Sequence, residues 1–463
     1  MATKASVFFD NLKGKEIALI GIGVSHIGLI KMLAGKGLDV TAYDRRTREA
    51  LGPVCDELEA AGARLELGPK YLNRLRGDII FRTPGLNYFT PELVVARKAG
   101  CIVTSEMEVF FDLCPCTIIG VTGSDGKTTT TTLIAEMLRA EGKKVHLGGN
   151  IGRALLPEIE SVDPTDYAVV ELSSFQLISM RQSPDISVIT NVAPNHLDVH
   201  KSMEEYIEAK TNIFLHQNGF SKTVLNADNR ITNAFSDKVR GRLGQFSRLR
   251  AVQQGAWMDK NNVIWYSIND SQTRLMTAED ILLPGMHNVE NYLAAISAVW
   301  GLVSKETMIK VAREFGGVEH RIEFIRELDG VKYYNDSIAT SPTRTIAGLR
   351  SFGQKIIVIA GGYDKHIPYE PLAPEVLQHV KTLVLTGDTA PKIEEAVKSC
   401  PGFKESGLTI IRADDLTDAL NKARSAASAG DVISLSPASA SFDHYPNFEA
   451  RGCHFKKLVN DLT

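Results

Sequence analysis

Cysteine, tryptophan and long apolar runs are all scarce in this chain of 463 residues. Its six cysteines include no C-x-x-C pair, and Cys114-Pro115-Cys116 has no second pair to complete a zinc site, so we expect free thiols in a reducing compartment. The longest apolar runs fall well short of the ~20 residues that a membrane helix needs, and no charged-then-apolar leader is recognisable. We therefore expect a cytoplasmic protein.

A large excess of charge of either sign is also lacking. The net charge of -3 argues against nucleic acid or an anionic membrane as a partner, because such binding relies on concentrated Lys and Arg. With 44% hydrophobic and 23% charged residues, the composition is that of a globular protein, and the length predicts two to four domains. Small molecules are the expected ligands.

The most informative pattern that is present is a glycine-rich turn, GVTGSDGKTT at residues 120–129, between an apolar strand and a helical segment. In such a turn backbone N–H groups cradle a phosphate, Lys127 reaches the outer phosphates, and the Thr128 hydroxyl is suited to magnesium. A strict phosphate-loop motif would have glycine at position 121, whereas here valine stands there and the first glycine lies one residue early, at Gly120. The pattern predicts a nucleoside triphosphate site.

Short apolar runs alternate with helical patterns in three blocks, which predicts parallel α/β sheets. In the first block a glycine-rich turn at 21–28 follows one strand and Asp44 ends the next, as in dinucleotide-binding folds, but the glycine spacing is not that of a nicotinamide site. The second block starts near Glu106 and carries the phosphate loop, and the third starts near residue 316. Alternating runs between 222 and 283 predict a few antiparallel strands.

Three side chains of the second block stand out for their chemistry. Glu171 ends an apolar strand, where it binds magnesium or simply reaches solvent. His196 follows the strand at 186–190; its pairing with His200 lacks the glutamate of a zinc protease motif, so a place near the phosphates is the better interpretation. Lys210 lies within the apolar stripe of a helix predicted over 203–214 and must therefore snorkel, pair or take part in chemistry.

In the third block polar residues follow several predicted strands. Asp336 ends one strand and Arg321 precedes it, while Lys365 and the serine-rich segment 436–441 follow two others. The carboxyl ends of parallel strands lie at one sheet edge, so these groups are suited to nucleotide contact and to recognition of a small carboxylate, although each turn alone is as readily structural.

Taken together these motifs resemble the Mur ligase family in order and spacing, over nearly the whole chain. The resemblance rests on GSDGKT at 123–128, ELSSFQ at 171–176, residues 191–198, Lys210, GMHN at 285–288 with Asn291, His320-Arg321, NDS at 335–337, and residues 436–452. The resemblance implies an α/β protein of three domains. These are an N-terminal Rossmann-like UDP-binding domain (1–106), a central P-loop ATPase-like domain with a small antiparallel sheet (107–316), and a C-terminal Rossmann-like domain that binds the amino acid (317–463).

The implied activity is ATP-dependent amide bond formation in peptidoglycan precursor synthesis. D-Glutamate would be added to the carboxylate of UDP-N-acetylmuramoyl-L-alanine through an acyl phosphate and a tetrahedral intermediate, giving ADP and phosphate. Two Mg²⁺ ions and a carbamylated Lys210 are expected with it, and the enzyme is expected to be a cytoplasmic monomer with no nucleic-acid or membrane partner.

The resemblance also assigns roles residue by residue. Lys127, Glu171, His196 and Lys210 would be catalytic, and the metal ligands would be Thr128, Glu171, His196 and the Lys210 carbamate. ATP would be bound by Gly123, Ser124, Asp125, Gly126, Lys127, Thr128, Thr129, Asn288, Asn291, Arg321 and Asp336. The UDP substrate would be bound by Val24, Ser25, Asp44, Arg45, Thr83, Asn150 and His196, and D-glutamate by Thr340, Lys365, Ser441, Phe442 and Phe448.

One residue departs from the family pattern, and three alternative functions stay open. The common Asn-Asp-Ser-Lys-Ala-Thr motif has Ile338 in place of lysine here, so we expect Lys365 or another basic side chain to compensate. The alternatives are a sibling or folylpolyglutamate-type ligase, a nicotinamide-dependent dehydrogenase suggested by residues 21–28, and a non-catalytic ATP-binding regulator.

Overall fold

The computed structural model describes residues 3–194 and 202–463 of the chain. The chain divides into two compact units, one formed by Met1–Ala278 with Glu290–Val311 and the other by Glu279–Val289 with Ala312–Thr463. Both are built from largely parallel sheets with helices between the strands, so the predicted mixed α/β architecture is confirmed.

The first sheet of unit 1 contains β1 (Glu16–Ile20), β2 (Asp39–Asp44), β3 (Arg64–Leu67), β4 (Ile79–Arg82) and β5 (Ile102–Thr104). The accompanying helices are α1 (Lys4–Asn11), α2 (Val24–Gly35), α3 (Arg48–Leu51), α4 (Val54–Ala60), α5 (Pro91–Lys98) and α6 (Glu106–Leu113). The strand order is β3-β2-β1-β4-β5 with parallel pairings, so the chain direction across the sheet reverses between β1 and β4. Ligands of such sheets bind at that reversal.

The second sheet of unit 1 contains β6 (Thr117–Thr122), β7 (Val145–Gly149), β8 (Tyr167–Glu171), β9 (Ile186–Ile189), β10 (Lys222–Asn226) and β11 (Arg242–Phe246). Its helices are α7 (Lys127–Ala140), α8 (Ser174–Leu177), α9 (Met203–Leu215) and α10 (Arg230–Asn233). The order is β11-β10-β9-β6-β8-β7, again parallel. β6, which leads into the phosphate loop, lies between β9 and β8, and all but its first residue are buried.

The prediction of antiparallel strands over 222–283 is right for only part of that range. β10 and β11 extend the parallel sheet because a helix precedes each of them and carries the chain back to the same sheet edge. The antiparallel sheet is formed by β12 (Gln254–Met258), β13 (Val263–Ile268) and β14 (Ser271–Thr277). Two helices follow, α11 (Met286–Val299) and α12 (Lys305–Glu314).

The sheet of unit 2 contains β15 (Glu323–Leu328), β16 (Val331–Asn335), β17 (Ile356–Ala360), β18 (Val380–Leu385), β19 (Thr409–Arg412) and β20 (Val432–Leu435). Its helices are α13 (Pro342–Leu349), α14 (Ala373–His379), α15 (Ala390–Lys398), α16 (Leu416–Ser425) and α17 (Phe448–Asn460). The order is β15-β16-β20-β17-β18-β19. The edge strand β15, which sequence reasoning missed, pairs antiparallel with β16 through a tight turn at Asp329-Gly330, whereas the other pairings are parallel.

Two buried charged residues join the sheets of unit 1. Arg82, at the end of β4, is 1% exposed and donates hydrogen bonds to the Phe175 carbonyl oxygen (3.1 Å) and to Ser179 Oγ (2.9 Å), both in the second sheet's connections. Glu106, the first residue of α6, accepts hydrogen bonds from the backbone N–H groups of Leu155 and Leu156 at 2.8 and 2.7 Å. Burial raises the pKa of Glu106 to about 7.

Within the described ranges, no helix combines the length and the apolar character that a bilayer crossing requires.

Candidate functional site

The phosphate loop connects β6 to α7. Gly123 and Gly126 have φ angles of +156° and +75°, in the region that favours glycine, and a Cβ on either would collide with the side chain of Thr190 or Asn291. Gly120 has another reason to be glycine, because it lies inside β6, where a Cβ would meet Pro184 Cγ at 2.7 Å. The early glycine in the motif is therefore a packing residue of the strand, and the loop proper is Gly123–Gly126.

Neighbouring side chains hold the loop in shape. Ser124 Oγ donates to the Ala193 carbonyl oxygen at 2.9 Å and lies 3.0 Å from the Tyr206 hydroxyl. The Asp125 N–H donates to Asn191 Oδ1 at 3.0 Å. The ammonium of Lys127 donates to the carbonyl oxygens of Gly123 and Ser124, both at 3.0 Å. This lysine thus folds back over the loop at the N-terminus of a 14-residue helix, where anions bind favourably.

A buried carboxylate faces the start of α7. Glu171 is 2% exposed at the end of β8; its Oε2 accepts a hydrogen bond from Thr128 Oγ1 at 2.7 Å, and its Oε1 accepts one from Asn150 Nδ2, also at 2.7 Å. Hydroxyl and carboxylate oxygens are ligands that Mg²⁺ prefers, and one or two of them beside nucleotide phosphates are usual. Thr128 and Glu171 therefore fit a magnesium ion, which would supply charge neutralisation at the phosphates. Thr129, the next residue of α7, is partly buried.

Lys210 lies on α9 with its side chain turned into the protein. It is 2% exposed, and its ammonium donates to the Gly123 carbonyl oxygen at 2.8 Å. Burial lowers its pKa to about 7, and the charge of Lys127 acts in the same direction. This residue thus does not snorkel to solvent, and an appreciable fraction of it is a neutral amine near neutral pH.

The N-terminal part of α11 carries the two asparagines that the resemblance assigned to ATP. Asn291 belongs to unit 1, where its Oδ1 accepts a hydrogen bond from Thr130 Oγ1 at 3.3 Å and lies against Gly126. Asn288 belongs to unit 2 and donates from Nδ2 to the Pro284 carbonyl oxygen at 2.7 Å. Only Asn291 is therefore placed next to the phosphate loop within one unit.

Five of the residues assigned to the UDP substrate lie near the reversal of the first sheet, whereas Asn150 follows β7 of the second sheet. Val24 and Ser25 begin α2, and Thr83 packs against Gly21, whose Cβ position would lie 3.1 Å from Thr83 Cβ. Arg45 is exposed at the end of β2.

The carboxylate of Asp44, the last residue of β2, is paired with Arg46, a residue to which the resemblance assigned no role. The guanidinium of Arg46 donates to both of its carboxylate oxygens, at 2.9 and 2.8 Å. Asp44 is 4% exposed, and Ile22 N–H also donates to its Oδ2 at 2.7 Å. Burial alone would raise the pKa of this carboxyl, but the hydrogen bonds from Arg46 and Ile22 outweigh it and lower the pKa. Sequence reasoning missed Arg46 because only its contact with the strand end distinguishes it from Arg45.

Unit 2 places Asp336 at the carboxyl end of β16. Its Oδ2 accepts a hydrogen bond from Ser436 Oγ at 2.9 Å, and burial raises its pKa to about 7 in spite of the nearby guanidinium of Arg321. Arg321 is exposed and lies between two residues with left-handed backbone, His320 (φ +62°) and Ile322 (φ +45°). Such a conformation is costly for a β-branched residue and is typical of functional sites.

Two cations converge on the loop that follows Asp336. Lys365 Nζ donates to the Thr340 carbonyl oxygen at 3.5 Å, and the Arg344 guanidinium donates to the Ile338 carbonyl oxygen at 3.2 Å. Both cations are exposed at the same loop. Sequence reasoning named Lys365 but missed Arg344. The position of Arg344 in the first turn of α13, close behind the NDS segment, could have indicated it.

A buried guanidinium organises the remaining residues assigned to D-glutamate. Arg451 is 4% exposed and donates to Ser337 Oγ (3.0 Å) and to the carbonyl oxygens of Ala440 (3.0 Å) and Ser439 (3.2 Å). Ser441, which follows Ala440 in the chain, is buried. The Phe448 carbonyl oxygen accepts a hydrogen bond from Ser337 Oγ at 2.8 Å.

Phe442 lies apart from this network. It is 60% exposed and contacts Tyr363 edge to face. Thr340, Lys365, Ser441 and Phe448 are thus gathered around one set of loops, with Phe442 at its surface.

A second cluster with metal-ligand chemistry is formed by Glu319, His320 and Cys453. It does not suit a cation well, since the ammonium of Lys456 already lies 3.1 Å from Glu319 and Asn335 Nδ2 donates to His320 Nδ1 at 2.9 Å. The proton of a neutral His320 is then on Nε2, the nitrogen that faces Cys453. His196 and His200 lie outside the described residues, so the predicted contacts of His196 stay predictions.

The fold and the loop define a nucleotide-binding α/β protein with a carboxylate and a lysine buried beside its phosphate loop. Two family descriptions match the chain, "Mur ligase middle domain" over residues 121–299 and "Mur ligase, glutamate ligase domain" over 320–439. Proteins called "UDP-N-acetylmuramoylalanine--D-glutamate ligase" are 51% identical in Acetivibrio thermocellus, over 100% of both chains, and 49% identical in Clostridium novyi, over 98% of both. The chain belongs to the Mur ligase family, and the resemblance inferred from its motifs is confirmed.

Solved structures agree on the fold. The UDP-N-acetylmuramate-alanine ligase MurC of Thermotoga maritima aligns with a TM-score of 0.57 at 19% identity, covering 96% of this chain and 99% of that one. A UDP-N-acetylmuramoyl-L-alanyl-D-glutamate--2,6-diaminopimelate ligase aligns with a TM-score of 0.56 at 18% identity, covering 84% and 94%.

Proposed function

We propose that this protein joins D-glutamate to UDP-N-acetylmuramoyl-L-alanine in an ATP-dependent reaction of peptidoglycan synthesis. The observation that carries the proposal is the convergence of Lys127, the Thr128–Glu171 pair and buried Lys210 on one phosphate loop, in a chain about half identical over its full length to ligases named for this reaction. A regulator that merely bound ATP would not need the buried lysine and the buried carboxylate together with a third domain.

The chemistry explains why such groups are needed. A carboxylate is a poor electrophile, so the L-alanyl carboxylate first takes the γ-phosphoryl group of ATP. The amine of D-glutamate then attacks the acyl phosphate, and phosphate leaves the tetrahedral intermediate. Two anions must approach each other in the first step, and Lys127 with the backbone N–H groups of the loop offsets that repulsion.

Magnesium and the modified lysine belong to the same proposal. Thr128 and Glu171 would hold one Mg²⁺ ion. Lys210 as a carbamate, formed from its neutral amine and CO₂ with release of a proton, would join His196 at a second ion. The lowered pKa of Lys210 supports this step, because only the unprotonated amine reacts with CO₂.

We further propose the three domains 1–106, 107–316 and 317–463, a cytoplasmic location and a monomeric state. The order of binding residues supports the division. Val24, Ser25, Asp44, Arg45 and Thr83, assigned to UDP, lie at the first sheet, whereas Asn150 and the phosphate loop lie at the second. Thr340, Lys365, Ser441 and Phe448 lie at the sheet of unit 2. Arg344 and Lys365 would contact the carboxylates of D-glutamate, Arg344 in place of the lysine that Ile338 replaces.

The test is phosphate release from ATP in the presence of UDP-N-acetylmuramoyl-L-alanine and one amino acid. D-Glutamate should support release, whereas L-glutamate, L-lysine, meso-diaminopimelate and no addition should not. Release with one of the other amino acids would indicate a sibling ligase, and release without any would contradict the assignment. NADH fluorescence that does not change on mixing would exclude the dehydrogenase.

A further inference from the structure

Cys114 and Cys116 lie close together at the junction of α6 and β6. Their Sγ atoms are 3.5 Å apart, and both side chains are in the described part of unit 1. Cys114 is the C-cap of α6 with φ -61° and ψ 121°, and Cys116 directly precedes β6. Pro115 between them has a fixed φ and restrains the residue before it to this extended conformation. The backbone itself therefore holds the two thiols near each other.

The two thiols are not equivalent. Cys114 is partly exposed, whereas Cys116 is 6% exposed and packs in the apolar core of unit 1. The hydrogen bond from the Cys116 thiol lowers the pKa of Cys114, and the same interaction raises the pKa of Cys116, as does its burial. Cys114 is thus the accessible nucleophile, and Cys116 is a shielded thiol within reach of it.

The other cysteines offer no such arrangement. Cys55 is buried, Cys101 and Cys400 are partly exposed, and Cys453 is exposed. None of these four has another cysteine sulfur at hydrogen-bonding distance in the part of the chain that the structure describes. They serve as internal controls for thiols that have no cysteine neighbour.

We propose that Cys114 and Cys116 form a reversible intramolecular disulfide by exchange with a low-molecular-weight disulfide. The Cys114 thiolate attacks one sulfur of the small disulfide, whose S–S bond breaks and releases one small thiolate. That thiolate takes the proton of Cys116, and the Cys116 thiolate then attacks Cys114 Sγ and displaces the second small thiolate, which takes from solvent the proton that Cys114 lost on ionising. Two protein thiols are oxidised, and one small disulfide is reduced to two thiols.

The site has a clear place in the fold. A disulfide bond is about 2.05 Å long, so the two sulfur atoms must approach each other from their present separation when it forms. The segment that tightens leads directly into β6, the strand that delivers the phosphate loop. Formation of a disulfide at this position does not depend on which amino acid the enzyme adds.

The experiment uses the full chain equilibrated in mixtures of reduced and oxidised glutathione. After acid quenching, free thiols are alkylated under denaturing conditions, and the protein is cut with trypsin and a glutamate-specific protease, which separates Cys101 from the pair at Glu106 and Glu108. The peptide with Cys114 and Cys116 should lose the mass of two hydrogen atoms, remain unalkylated, and regain both thiols with dithiothreitol. Cys453 should carry at most a glutathionyl group.

Two variants test the order of the steps. Cys116→Ser should accumulate a stable glutathionyl group on Cys114, whereas Cys114→Ser should leave Cys116 reduced. Cys453→Ser is the matched control and should oxidise at the pair as the unmodified protein does. The proposal is overturned if the wild-type pair stays fully alkylated at every glutathione ratio that modifies Cys453, a measurement that needs no variant to fold. Equal glutathionylation of the two serine variants would overturn the assigned order.

Discussion

The ammonium of Lys210 donates a hydrogen bond to the carbonyl oxygen of Gly123, the first residue of the phosphate loop. Under the proposed function, the neutral form of this amine takes up CO₂, and the carbamate so formed would help to hold a second Mg²⁺ ion beside the phosphates. Because this lysine is on α9 and the glycine follows β6, the contact also fixes the helix to the nucleotide site.

Removing this amine should abolish most of the activity, and a small carboxylate should restore part of it. We expect Lys210→Ala to lower kcat by about 10²-fold or more, the usual cost of losing one group that stabilises charge in the transition state. Formate or acetate would occupy the space of the carbamate and supply its oxygens. The measurement is phosphate release with and without these anions.

Lys222 offers a matched control for that experiment. It is also a buried lysine with a pKa lowered to about 8 by burial, but its ammonium caps α11 by donating to the carbonyl oxygens of Ser297 (2.5 Å) and Ala298 (3.4 Å). Lys222→Ala should lower thermal stability, and added formate or acetate should not increase its rate of phosphate release. Full activity of Lys210→Ala without added anions would contradict the carbamate.

Arg344 and Lys365 should govern the affinity for D-glutamate. Each donates to a carbonyl oxygen of the 338–340 loop, so replacing either with alanine removes a cation near the proposed carboxylate site. We expect a rise of about tenfold or more in KM for D-glutamate, equivalent to ~1.4 kcal/mol, and little change in KM for ATP.

Arg350, an exposed arginine just past the end of α13 that pairs with Glu375, is the control for Arg344. Its alanine variant should leave both KM values unchanged. If Arg344→Ala raised the two KM values equally, its role would be in domain structure and not in amino-acid recognition.

The stability of unit 1 should depend on pH through Glu106. Its pKa is raised from 4.5 to about 7 by burial, so the folded state favours the protonated acid. The contribution of this group to stability is therefore greatest below pH 4.5 and falls as the pH rises through 7, by up to ~3 kcal/mol. Glu106→Gln keeps an oxygen for the two N–H donors and cannot ionise. Urea unfolding should show the variant gaining on the wild type between about pH 5 and 8.

The cost of burying the introduced amide is the same at each pH. It therefore changes the difference in the free energy of unfolding between variant and wild type by a constant, and leaves the pH dependence of that difference unchanged. Glu136, a helix residue that pairs with Arg139 at the surface, is the control, and Glu136→Gln should leave the slope unchanged. A parallel pH dependence of Glu106→Gln and wild type would show that the carboxylate is ionised without penalty.

Gly126 should tolerate no side chain if ATP is to bind. Gly126→Ala would strain a left-handed backbone, at a cost of ~1–2 kcal/mol, and would drive its Cβ against Asn291 Oδ1. We expect at least about tenfold weaker ATP binding by calorimetry. Gly142→Ala has a similar φ of +82° but open space around the Cβ, so it should lower stability alone and leave ATP affinity unchanged.

Local patterns predicted the fold where contacts are local. The runs at 167–171, 356–360 and 432–435 predict strands with the bounds that β8, β17 and β20 have, and the Gly-Lys-Thr sequence located the loop. Gly120 shows the limit, because it was taken for a loop residue although the ring of Pro184, far away in the sequence, is what excludes a side chain there. β10 was assigned to an antiparallel sheet because strand periodicity is the same in both sheet types.

The candidate site shows the same division. Glu171 and Lys210 could be singled out because a charge in an apolar pattern is visible in the sequence. Arg451 could not, since its importance lies in which distant oxygens it reaches, and Arg46 could not, since only its contact with Asp44 distinguishes it from Arg45. Arg451 sits in a helix whose pattern is ordinary, and its partners in the 337–340 and 439–440 loops are brought to it by β16 and β20.

Arg82 fixes the distance between the first and second sheets of unit 1. Parting the end of β4 from Phe175 and Ser179 would strip a buried guanidinium of two acceptors, at a cost of roughly several kcal/mol. Thr83 is the next residue, and the phosphate loop belongs to the same body. Under the proposed function, in which UDP binds at the first sheet and ATP at the phosphate loop, this fixed span would select substrates by length: a carboxylate too near the UDP end, or too far from it, would miss the γ-phosphate.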